Sequence, residues 1–188
     1  MPGVVITTAV RTGPSADTVR DSSQAFFVGL ALRGPEEKAT LVTSIADFEA
    51  QYGGYQSYAY LHPTIETFFE EGGTQCYVVR VVGPSATEGK HKLLDSSSGD
   101  SMQLTAVGPG DWSANMTFTV EAGTVASSVI LKLLYYNVQV FTSGNCTTVD
   151  QVIGKINGSA VASKYVTASS LGSNLPAALA STALTYSD

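Results

Sequence analysis

Few residues in this chain have the types and spacing that chemistry needs. The stretch Gly83-Pro84-Ser85-Ala86-Thr87-Glu88-Gly89-Lys90-His91 follows a β-prone run, as a phosphate-binding loop does. One residue too many separates its glycines, and histidine follows Lys90 where a hydroxyl is needed for Mg²⁺. Pro84 also removes one backbone N–H from the cradle. The two histidines, His62 and His91, stand in no metal-ligand pattern. Cys76 with His62 is the one pair that could form a nucleophile, a thiolate activated by an imidazole, as a small hydrolase would use it. Cys76 opens an apolar run, however, and a reduced structural thiol is the plainer reading. Glu70-Glu71, at the end of a helical pattern, reads as a solvated acidic turn rather than a general acid. The single tryptophan lies in Pro109-Gly110-Asp111-Trp112-Ser113-Ala114-Asn115. There Trp112 is expected to plug the end of a small β-sandwich, with Asp111 and Asn115 fixing the turn. A sugar platform would need more exposed aromatics than this segment supplies. No catalytic, cofactor-binding or metal site is expected, so the chain reads as a building block and not an enzyme.

Composition narrows the class further. The 188 residues suffice for one sizeable core or two small domains. A net charge of −6 argues against nucleic acid, which needs a basic stripe. Only 14% of residues are charged, against roughly 25% in ordinary soluble domains, which suits a β-rich protein partly covered by neighbours. The two cysteines make no disulfide framework. No charged n-region precedes an apolar stretch at the N-terminus, so no signal peptide is expected, and no apolar run reaches the ~18 residues of a membrane span. A soluble protein made in a cytoplasm is the expectation.

The elements that would carry these residues predict an α+β fold. Residues 1–23 read as an extended arm and tether: Val4, Val5, Ile6, Thr7, Thr8, Ala9 and Val10 are β-prone, and the stretch from Arg11 is polar. A frayed terminus or an ordinary edge strand of the same domain fits them equally well. Residues 24–82 read as a strand–helix–helix–strand unit. Ser44 caps a helix with Ile45, Phe48 and Tyr52 on one face, ending at Gly53. A second helix, with Pro63 in its first turn, buries Leu61, Ile65, Phe68 and Phe69. The run Cys76–Val82 predicts a strand covered on both faces. Residues 83–102 are rich in Gly, Ser, Lys and Asp and predict a linker loop. Residues 103–170 predict a β-rich domain, a sandwich or barrel-like segment. Its strands are Gln103–Val107, Met116–Glu121, one long or two short ones over Val129–Val140, and a last one at Tyr165–Ala168. Thr148 caps a short helix there, with Val149, Val152, Ile153 and Ile156 on one face. Residues 171–188 predict a flexible tail or a truncated boundary.

Four stretches in order resemble the tail sheath proteins of contractile phages and related injection systems. They are Pro2-Gly3-Val4-Val5-Ile6, then Ala25–Leu30 with Arg33-Gly34-Pro35. The third runs from Leu41-Val42-Thr43-Ser44 through Gly53-Gly54, Phe68-Phe69 and Gly72-Gly73 to Cys76–Val81, and the last is Pro109–Asn115. The resemblance implies a structural subunit that polymerises in stacked rings around a tail tube and contracts to drive the tube through a cell envelope. It implies a virion-tail location, or host cytoplasm before assembly. The implied partners are copies of itself, the tail tube protein, and baseplate and tail terminator proteins, with no nucleic acid and no membrane insertion. It also implies that residues 4–10 form a strand donated to a neighbouring subunit. Sheath proteins are usually much longer, and the half that accepts such strands in that family would follow these 188 residues, so either a fragment or a short relative that cannot complete the usual mesh is expected. The alternative is a β-sandwich virion or adhesin module that binds a surface receptor or glycan.

Overall fold

The computed structural model describes residues 24–184. The arm at Val4–Val10 therefore lies outside the described residues. The first unit begins with β1 (Ala25–Gly29), an aromatic and β-branched run, and β2 (Thr40–Val42). α1 (Ile45–Tyr52) starts where the Ser44 hydroxyl accepts the Asp47 N–H at 3.1 Å, and it stops at Gly53, whose φ of 87° needs no Cβ. α2 (Leu61–Glu70) follows, then β3 (Cys76–Arg80). The sheet order is β1-β3-β2, with β1 parallel and β2 antiparallel to β3. The predicted strand–helix–helix–strand unit thus gains a strand. Three residues are too few for a legible pattern, and β2 becomes a strand only by pairing with β3. Phe48, Tyr52, Leu61 and Ile65 pack onto Val42, Cys76 and Val78, while Phe68 and Phe69 are only partly buried.

The second unit is mostly antiparallel. It holds β4 (Lys90–Leu94), β5 (Asp100–Ala106), β6 (Met116–Ala122), β7 (Val129–Tyr135), β8 (Val138–Thr142), α3 (Val149–Asn157), β9 (Val166–Ser170) and β10 (Leu179–Ala183). These form two open sheets, β10-β6-β7-β8 and β4-β5-β9, not a closed barrel. Their inward residues, such as Leu104, Phe118 and Leu131, share one core with Val152 and Ile156 of α3. Tyr136 and Asn137 both have positive φ, 48° and 63°, the geometry of a tight hairpin turn, so residues 129–140 are two strands.

Two predicted loops are corrected. Residues 83–102 contain β4 and the start of β5, joined by a turn in which Asp95 accepts the Ser97 and Gly99 N–H groups at 2.8 Å. The polar composition that suggested a linker is that of an edge strand and its turn. The tail contains β10, antiparallel to β6, so β9 is not the last strand. Small, polar residues carry no core pattern there, and β10 owes its conformation to β6.

Candidate interaction face

The two faces of the β1-β3-β2 sheet differ sharply. On the helix side lie Ala25, Phe27, Val42, Cys76 and Val78. On the other side Phe26 is 61% and Val28 66% exposed, with Leu41 also exposed. Phe26 stacks on Tyr77 with ring centroids 5.0 Å apart, so the open side carries an aromatic pair. Val81, predicted to be strand covered on both faces, lies just past β3 and is exposed. The expectation of a strand covered on both faces is thus corrected: the helices cover one face of the sheet, and no element among the described residues covers the other. Beside β1, Tyr58 and Tyr60 line a cleft of about 280 Å³ with Phe27, Val28, Gly29 and Leu30. Tyr60 is 86% exposed.

Two buried arginines fix this unit against the β-rich one. The Arg80 guanidinium donates to the carbonyls of Ala31 (3.1 Å), Gly34 (3.0 Å) and Leu32 (3.4 Å), and across the joint to Pro109 (2.8 Å). Arg33 donates to the Glu49 and Gln51 carbonyls near the C-terminus of α1, where a cation is favoured, and to Lys164 in the β-rich unit. Its guanidinium lies 4.3 Å from the Tyr165 ring centroid. Burial pulls both arginine pKa values down, yet an arginine in a protein stays charged. Gly108 (φ 85°) sits so close that a Cβ there would overlap the Gly34 carbonyl. The units therefore meet backbone to backbone.

The groups singled out for chemistry each have structural surroundings of their own. His62 Nε2 meets Glu49 at 2.9 Å, and its ring packs edge-on to Phe48. Cys76 is buried at a strand start, and burial pushes its thiol pKa up, the reverse of a nucleophile's requirement. His91 lies in β4 against the Phe118 ring, at a 5.0 Å centroid separation, and burial lowers its pKa. In the glycine-bounded loop, the Thr87 and Gly89 carbonyls accept from Gly110 and Ala106, which ties the loop to the β-rich unit. Among the described residues no group of three or more His, Cys, Asp or Glu gathers as a metal site needs. No described helix is long and apolar enough to cross a membrane.

The tryptophan segment forms a 3₁₀ turn over Asp111–Asn115, with Gly110 at φ 124° before it. Trp112 is buried edge-on to Tyr135, and Asn115 donates to the Tyr136 hydroxyl at 3.3 Å. Pro109 contributes its carbonyl to Arg80. Two solved structures match this architecture. The sheath tail protein of Listeria innocua aligns over 86% of this chain with a TM-score of 0.58 and 13% identity. That of Desulfitobacterium hafniense aligns over 98% with a TM-score of 0.57 and 14% identity.

The fold is that of sheath tail proteins.

The chain spans about a third of those proteins' length, 33% and 38%. No protein-family model matches it, and no curated protein does. Within the sheath tail fold, sequence reasoning missed Arg33 and Arg80. It gave Arg33 no structural role and passed over Arg80 inside the apolar run. A charge in an otherwise buried strand needs partners, and that was the available signal.

Proposed function

We propose that this chain is a structural subunit of a contractile tail sheath. It polymerises with copies of itself around a tail tube and moves with them to drive the tube through a target envelope. The observation that carries this reading is the sheath tail fold, shared over 86% and 98% of the chain. In this reading the work is mechanical: the extended sheath holds strained subunit contacts that repack on triggering. The low charge and the uncovered apolar face of the β1-β3-β2 sheet suit a subunit packed among others. Residues 24–82 belong to the packed body of the sheath, and Val4–Val10 is the strand that tethers one subunit to the next. The tail tube, baseplate and tail terminator are the further partners, and the virion tail is the place of action.

Negative-stain microscopy of the full chain beside a version lacking residues 2–12 tests this. Tubes or stacked rings from the first and only small species from the second are expected. A full chain that stays monomeric at high concentration and high salt sinks the sheath reading.

A further inference from the structure

Asn157-Gly158 is the one Asn-Gly pair in the chain; Asn115, Asn137, Asn145 and Asn174 precede Met, Val, Cys and Leu. An asparagine followed by glycine is chemically labile. The glycine nitrogen attacks the asparagine Cγ, a succinimide ring closes and ammonia leaves, carrying away the proton of the attacking N–H. Water then opens the ring to aspartate or isoaspartate. A bulky following side chain slows the attack, and glycine has none. In the unfolded chain Asn157 is therefore the first amide to be lost.

The fold needs both residues of this pair. Asn157, the last residue of α3, donates from Nδ2 to the Ala168 carbonyl and accepts the Ala168 N–H at Oδ1, each at 2.8 Å. The edge strand β9 is thereby clamped to the end of the helix. Among side chains of this length, only an amide offers a donor and an acceptor in that fork at neutral pH. Gly158 follows because a Cβ there would stand 2.8 Å from the Gly154 carbonyl oxygen. That carbonyl accepts the Gly158 N–H at 2.9 Å.

The same bonds keep the reacting atoms from meeting. The nucleophile, the Gly158 nitrogen, is committed to the Gly154 carbonyl, and the leaving group, Nδ2, to the Ala168 carbonyl. Attack requires the Gly158 N–H to leave the helix and the Asn157 side chain to leave β9 together. Asn157 is exposed, so water for the second step is at hand and geometry alone prevents the first.

We propose that Asn157 is a site of spontaneous deamidation, silent in the closed molecule, that reacts only when the clamp between α3 and β9 opens. The step runs one way. Either product puts a carboxylate at the C-terminal end of α3, where the helix dipole opposes it. Either also lacks the donor that the Ala168 carbonyl had. This holds whether or not the chain builds a sheath.

The test follows amide loss in the full chain by peptide mapping at mildly alkaline pH. The chain is held in buffer, in denaturing urea, and in a series of urea concentrations below the unfolding transition. In denaturing urea conversion should fall on Asn157 before any other asparagine, and conversion that starts elsewhere overturns the proposal. In buffer it should be slower on the order of a hundredfold or more; equal rates overturn the clamp. Local opening exposes little surface, so the rate should hardly change across the sub-denaturing series. A rate that climbs with the full slope of global unfolding removes the clamp as the gate. Asn157→Asp supplies the product carboxylate directly and should lower the folding constant roughly tenfold in a urea titration. An unchanged midpoint overturns the one-way step. The kinetic arms use the parent chain alone, so they decide the gate even where that variant does not fold.

Discussion

Arg80 holds four carbonyls with one side chain, and it is 4% exposed. Arg80→Met leaves those acceptors without their donor and is expected to cost about 3 kcal/mol or more. Arg80→Lys should cost nearly as much, because a single ammonium cannot span the fork that a guanidinium fills. Urea midpoints of both variants check this, and a lysine variant as stable as the parent removes the argument from geometry. His91 carries a pH effect. Burial against Phe118 holds its pKa below the usual 6.5, so the unfolded chain binds the proton more readily. Its share of stability is full above pH 6.5 and is lost as pH falls below that value. Melting curves from about pH 7.5 to 5 should therefore show a fall that His91→Gln reduces. An identical slope in the variant assigns the fall to other groups. At this scale the sequence showed which residues were unusual. It did not show the partners of Arg33 and Arg80, because carbonyls supplied by distant turns leave no mark in sequence.

The helices were the most legible elements. Ser44 and Thr148 accept the N–H three residues on, as their positions before an apolar period predicted. β2, β4 and β10 were not legible. Each is short, exposed on much of its surface, or made of residues that also suit loops, so pairing decides its conformation. The α3–β9 contact yields a test at this level. Asn157→Ala removes both bonds to Ala168 and should cost about 1–3 kcal/mol by thermal unfolding, while also opening the β9 edge to aggregation. A variant with the parent's midpoint and solubility shows that the asparagine does not guard the edge.

The two units make one molecule through the arginine joint and the close approach of Gly108 to Gly34. Calorimetry of the full chain is expected to give a single transition, with matching calorimetric and van't Hoff enthalpies. The double variant Arg33→Met/Arg80→Met should split or broaden it, because the α/β core and the β-rich core are separate clusters. Two resolved transitions in the parent chain would falsify the joint.

The sequence by itself determined the α+β class, the helix boundaries and the inward-facing residues of the long strands. Caps, glycine stops and apolar periods act over a few neighbouring residues. It also showed β1 and most of β3 as apolar runs. Tertiary structure alone decided the sheet orders, the added strands β2, β4 and β10, and the arginine joint. It alone showed which side of the β1-β3-β2 sheet lies open among the described residues. These depend on groups far apart in the chain meeting through backbone hydrogen bonds, and every residue but proline offers the same backbone donor and acceptor.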